Sequence, residues 1–299
     1  MRETNFISEP ELLSVPSPFI LESSRLCVLE SLDTPLDSLY ARLLDGTYEK
    51  PYIIEDGRLR YLHFGVRYVQ SAMRIDRPDV LKLRYTQKMM SFLLFKKTPG
   101  RIAMLGLGGG SLAKFCYRCL PDADITVIEI DPHVIALRRH FAIPEDDVRF
   151  RVVRGDAAEY VASAVDEPID VLLADAFDEH GLAHSLASRS FLQHAYAALE
   201  ETGILVMNLA GDQSRYVELI EAARDIFDRQ TLLVPVKDDE NYVLFGFKQR
   251  HFDPDWHQLR LRAKELKASF ELDFPAFVQM MERTERIDTM NKIMKVLAG

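Results

Sequence analysis

Two carboxylates, Asp175 and Asp178, follow the apolar run at the start of LLADAFDEHG (172–181). Acids at a strand end can bind a cation, orient an amine or take up its proton. Strand ends are also where ligands sit in open α/β sheets, so the pair is either a reactive site or only a polar loop. His180 and His184 flank it. With the acids they could be drawn as a metal centre, but a mixed polar loop, with His180 touching substrate, is the expected reading, and no metal is predicted.

A second candidate is LGLGGGSL (105–112), where Gly106, Gly108 and Gly110 follow an apolar run and open a helical pattern. Glycines there let a ligand approach the backbone, and the helix start offers unpaired N–H groups. The next apolar run ends in VIEID (127–131). An acid about 20 residues beyond such a turn is placed to accept hydrogen bonds from ribose hydroxyls. Glu129 is the expected ribose ligand, whereas Asp131, just before Pro132, is the expected helix cap. Asp156, in RGDAAEY, is either another cap or an acceptor for the exocyclic amine of a nucleoside base.

These residues need a scaffold of alternating strands and helices. RIAMLGL (101–107), DITVIEI (124–130), VRFRVV (148–153), IDVLLADA (169–176) and GILVMNLA (203–210) read as strands. Helices are expected between them: 109–120, 131–141, 156–165, 188–201 (stopped by Gly203) and 214–227. QTLLVPV (230–236) and NYVLFGFK (241–248) lie too close for a parallel crossover, so they predict an antiparallel hairpin. Alternation predicts a doubly wound sheet. Five βα steps and a terminal hairpin resemble the strand pattern of the Class I S-adenosylmethionine-dependent methyltransferases, so a seven-stranded, Rossmann-like sheet is expected.

Three parts are expected: a β-rich N-terminal region (1–84), the Rossmann-like domain (85–250) and C-terminal helices (251–299). The first contains a hairpin turned at Asp56–Gly57. A helix is expected over 81–95, and Pro275 should split the C-terminal segment into two.

The formal net charge of −9, with no long Lys/Arg run, disfavours a nucleic-acid substrate. No apolar stretch is long enough to predict a membrane span. The N-terminal residues do not read as a secretory signal, and three cysteines make no disulfide framework. A cytoplasmic protein is expected. Cys116 and Cys119, three apart on one helix face, read as core residues. Neither G-x-S-x-G nor a P-loop occurs, so acyl and phosphoryl transfer lack support.

With these segments assembled, the sequence resembles the spermidine synthase (polyamine aminopropyltransferase) family from about Glu55 to Lys248. The resemblance rests on the order of GLGGG, VIEID, RGDAAEYV, LLADAFDEHG and FLQHAYAALEETGILVMN, preceded by VQSAM (69–73) and YTQKMM (85–90). It implies that Asp175 is the catalytic carboxylate and that Asp178 helps hold a polyamine. It also implies substrate roles for Tyr85 and Gln70, and adenosine contacts from Glu129, Asp156 and Ala157. The implied donor is decarboxylated S-adenosylmethionine, the acceptor a small amine and the assembly a homodimer formed through the N-terminal part.

Three departures touch the amine side. The family's G-G-G-D-G loop has its aspartate replaced by Gly109. The tyrosine of its Y-x-E-M segment falls on Tyr85 or Thr86, and the glutamate becomes Lys88. Its D-x-x-D-P-x-G-P loses both prolines, with Glu179 and Leu182 in that stretch and Phe177 between the acids. Aminopropyl transfer is the expected activity. S-adenosylmethionine-dependent methyl transfer and non-catalytic nucleoside binding are the alternatives.

Overall fold

The computed structural model describes residues 12–19, 24–65, 69–164, 167–178, 181–211, 213–236, 241–249 and 252–298. Glu179 and His180 lie outside them, and Asp178 is described in its backbone alone.

An N-terminal antiparallel meander comprises β1 (Leu13–Pro16), β2 (Arg25–Val28), β3 (Tyr52–Glu55), β4 (Leu59–His63) and β5 (Val69–Arg74). The expected hairpin at Asp56–Gly57 joins β3 to β4, with Asp56 accepting from the backbone of Arg58 and Leu59. Side chains alternate across a strand. Tyr52 and Ile54 therefore pack under α1 (Leu36–Asp45), while Ile53 turns to the core of the main sheet.

The main sheet contains β6 (Arg101–Leu105), β7 (Asp124–Glu129), β8 (Phe150–Arg154), β9 (Ile169–Ala174), β12 (Leu199–Leu209), β13 (Thr231–Pro235) and β14 (Tyr242–Phe247). A two-residue pair, β10 (Phe177–Asp178) and β11 (Gly181–Leu182), interrupts the count between β9 and β12. The order is β13-β14-β12-β9-β6-β7-β8. β14 runs antiparallel to both neighbours, and the other contacts are parallel. This is the sheet expected from the strand pattern.

Helices cover both faces, as a parallel sheet requires. Ile102, Met104, Val171, Leu173 and Val206 point to one side, where they meet α3 (Ser111–Cys119), α8 (Trp256–Phe270) and α9 (Phe274–Ala298). Ala103, Leu105, Leu172, Ala174 and Leu205 point to the other, against α5 (Ala157–Ser163), α6 (Arg189–Ala198) and α7 (Val217–Ile226).

Several helix expectations need correction. The segment 81–95 is a six-residue α2 (Arg84–Met89) and a 3-10 turn, Met90–Leu94, rather than one helix. All five residues of that turn are buried, so no polar face exists to support a surface helix. α4 stops at Ala136 (Pro132–Ala136), well short of residue 141. α6 ends at Ala198 because Leu199 is already extended and paired with Ile169 of β9; Gly203 does not terminate it. Pro275 does not split the C-terminal helices. Glu271 does, in a left-handed conformation, and Pro275 sits in the first turn of α9, where no N–H is needed.

Candidate active site

A cavity of about 510 Å³ opens at the carboxyl ends of β6, β7, β8 and β9, closed on one side by β5 and α2. It is lined by Gly106, Gly108, Glu129, Asp156, Ala157, Asp175, Tyr85 and Gln70, among others. The sequence-predicted residues therefore converge, apart from the side chain of Asp178, which lies outside the described atoms, and Gly110, which starts α3 beside the cavity.

The glycine loop packs directly on the acid loop. Gly106 has φ +94°, and a Cβ there would lie 2.5 Å from the carbonyl oxygen of Asp175. No side chain fits. The N–H of Asp175 in turn donates to the Leu105 carbonyl at 2.9 Å. The exits of β6 and β9 are thus one packed unit. Gly110 begins α3 without a side-chain cap, which leaves N–H groups at the helix start.

Glu129 is buried at the end of β7. Its Oε2 accepts from the N–H of Leu107 and its Oε1 from that of Asp131, both at 2.9 Å. Burial raises its proton affinity above the ordinary carboxylate range, and these bonds pull the other way. Each oxygen keeps further acceptor capacity. Asp131 caps α4 by accepting from His133 N–H, as expected. Asp156 caps α5 through Oδ1, which accepts from Ala158 and Glu159, and it also lines the cavity. The two readings of Asp156 are compatible.

Asp175 is held at both oxygens. Tyr85 donates its hydroxyl to Oδ2 at 3.2 Å, and Asn208 donates its amide to Oδ1 at 2.9 Å. Burial pushes the carboxyl up to about 7, against the two hydrogen bonds. A carboxylate poised there can exchange a proton near neutral pH.

The departures also resolve. A Cβ on Gly109 would lie 2.5 Å from Ser71 Oγ and 2.9 Å from the Phe141 ring, so β5 fills the space an aspartate would need. Tyr85 and Thr86 both line the cavity, and Tyr85 is the one that reaches Asp175. Lys88 faces neither cavity nor water. It is buried beneath α9, its ammonium 4.4 Å from the Phe277 ring centre. Burial lowers it to about 8, with Asp273 opposing. Leu182 packs into the core, while Phe177 forms cavity wall. His184 sits at the rim, and no metal-type cluster of His, Cys, Asp and Glu occurs among the described residues. Cys116 is buried beside Met90, a core residue as expected.

Sequence reasoning missed Asn208, Asn241, Ser71 and Glu49. Asn208 had a signal: it is the one polar residue in the apolar run ILVMNLA (204–210), and a buried amide needs a partner.

Sheet order defines a Class I methyltransferase-like fold, with an acid-lined cavity at the carboxyl ends of its strands. A spermine/spermidine synthase domain profile matches residues 82–223. The chain is 35% identical over 235 residues to the polyamine aminopropyltransferase of Chromobacterium violaceum, covering 78% of this chain and 90% of that one. It is 34% identical over 224 residues to the polyamine aminopropyltransferase of Neisseria meningitidis, covering 74% and 85%. Among solved structures, a probable spermidine synthase from Corynebacterium glutamicum superposes with a TM-score of 0.62 at 18% identity, over 75% of this chain and 86% of that one. Human methyltransferase-like protein 13 in complex with SAH gives a TM-score of 0.57 at 22% identity, over 64% and 93%. The chain belongs to the spermine/spermidine synthase family and is a transferase.

Proposed function

We propose that the protein transfers an aminopropyl group from decarboxylated S-adenosylmethionine to a small amine, with Asp175 as proton acceptor. The observation that carries this reading is the Asp175 carboxylate, held by Tyr85 and Asn208 against the glycine loop. The amine nitrogen attacks the carbon beside the sulfonium. The N–C bond forms as the C–S bond breaks, methylthioadenosine leaves with the electron pair, and the nitrogen's proton passes to Asp175. An alkylammonium is not nucleophilic until it loses a proton, so a carboxylate near neutral affinity serves both to bind and to deprotonate it.

On the donor side, Glu129 accepts from the ribose hydroxyls, and Asp156, beside Ala157, stands by the base. Gly106, Gly108 and Gly110 give the nucleoside close access to the backbone. Tyr85, Gln70 and Asp178 are the acceptor-side residues in this reading. The division at residues 84 and 250, and a homodimer formed through the N-terminal sheet, belong to the same proposal; light scattering reads the latter.

Because Gly109 leaves the loop without a carboxylate, donor choice is the decisive measurement. Calorimetry with decarboxylated S-adenosylmethionine, S-adenosylmethionine and methylthioadenosine should show micromolar binding of the decarboxylated donor and of methylthioadenosine. Preference for the carboxylated donor would refute aminopropyl transfer, and silence from all three would refute the nucleoside site.

A further inference from the structure

Asn208 is 2% exposed and is the one polar residue in the buried stretch Ile204–Leu209 of β12. Burying a carboxamide costs free energy unless its donors and acceptor are matched. Here Nδ2 donates to Asp175 Oδ1 at 2.9 Å, and Oδ1 accepts from Asn241 Nδ2 at 3.1 Å. Neither amide lines the cavity. Asn241 immediately precedes β14, and Asn208 pairs with Val243 of that strand. The terminal hairpin thus reaches the acid loop through two amides in series.

The direction of the series matters. Turning the Asn208 amide over would set its carbonyl against the Asp175 carboxylate and its NH₂ against the NH₂ of Asn241. Both contacts are repulsive, so Asp175 and Asn241 together favour the end of Asn208 that faces the acid. We infer that Asn208 and Asn241 are positioning residues for the transfer reaction: the pair fixes the Asp175 carboxylate in one orientation and favours its ionised, proton-accepting form. This rests on the reading of Asp175 as proton acceptor.

The titratable groups that share the cavity are Glu49, Tyr85, Glu129, Asp131, Asp156 and His184. Of these, among the described residues, Tyr85 is the one bonded to Asp175. Burial favours the protonated acid, while Asn208 and Tyr85 favour the carboxylate. Removing the Asn208 donor leaves burial opposed by Tyr85 alone.

The test follows the titration of Asp175 by carbon-13 NMR of labelled aspartate carboxyls in the full-length protein. The signal is assigned by its loss in Asp175→Asn. In Asn208→Leu the midpoint should move up by about one to two pH units, the equivalent of one hydrogen bond to a charged group. Asn241→Ala should move it less, in the same direction. In parallel, the ascending limb of kcat against pH should shift alkaline, with about a tenfold loss at pH 7 and little change in KM. An unmoved midpoint in a folded Asn208→Leu protein, even with lowered thermal stability, would overturn the inference by reducing Asn208 to a packing residue. If that variant does not fold, Asn241→Ala decides alone, since its residue is not fully buried. The NMR reading needs no turnover. A shifted midpoint without aminopropyl transfer by the wild type would uphold the amide pair and refute the proposed function.

Discussion

Asp175 carries two demands that conflict. Burial raises its proton affinity from the ordinary aspartate value of 3.8 to about 7. The folded state therefore binds this proton more tightly than the unfolded chain between those values, and stability falls as pH rises through that window. Asp175→Asn is expected to raise the melting temperature at pH 8 relative to wild type, with no such gain at pH 3. Turnover should drop by about 10²- to 10⁴-fold while donor affinity is kept; calorimetry and steady-state kinetics on the same preparation check both. For the wild type, kcat should climb with pH through about 7, because the proposed proton acceptor must be ionised. Gly109→Asp tests the crowding by Ser71 and Phe141. It should destabilise the fold by about 1–3 kcal/mol, read by urea titration, rather than tighten donor binding.

Legibility at this scale followed position along the strands. Asp175, Glu129 and Asp156 stand just where apolar runs stop, so a pattern reading finds them. Asn208 sits inside a run, and its partner Asn241 is 33 positions away. Nothing local links them; only the pairing of β12 with β14 does. Lys88 illustrates the converse. A lysine ordinarily faces solvent or a polar cavity, and tertiary packing puts this one under Phe277 instead.

At the scale of elements, the strands were readable because burial on both faces writes nearly continuous apolar runs, such as Ile169–Ala174. Helix lengths were less so. The short α2 runs into a 3-10 turn in which all five residues are buried, and such a turn carries no 3.6-residue rhythm to measure. The α2–α9 contact also yields a prediction. Burial lowers Lys88 from 10.5 to about 8, so the folded state holds that proton less tightly than the unfolded chain. Stability should rise as pH climbs between those values, and Lys88 costs stability at neutral pH. Lys88→Met is expected to leave the melting temperature unchanged or raised at pH 7, and to leave KM for the amine unaltered. A changed KM would place the lysine in the substrate path.

Across the whole molecule, the cavity floor belongs to the main sheet but one wall belongs to β5, and α8 and α9 complete the core beneath α2. Phe274, Val278 and Met281 of α9 join the cluster that also holds Met90, Phe92 and Leu94. A chain ending at residue 250 keeps the proposed catalytic and donor-side residues yet should lose cooperative thermal unfolding, as differential scanning calorimetry would show, because it exposes that apolar face. The three-part division expected from the pattern of strands and helices obscures this dependence: one contiguous core runs from Ile53 of the N-terminal sheet to Met281 of α9.

The order of the last three strands has a consequence for synthesis. Translation delivers β13 before β14, yet β14 is the strand that lies against β12. Until about forty residues beyond β12 have left the ribosome, the edge Ile204–Leu209 has no partner of its own. That edge is a run of Ile, Leu, Val and Met broken by one amide, and such an edge pairs readily with other chains. The nascent protein thus carries an adhesive edge while it already holds its glycine loop and Asp175. The residue that orients that acid through Asn208 arrives with the strand that shields the edge, so protection from aggregation and readiness for catalysis are reached in the same step of chain growth.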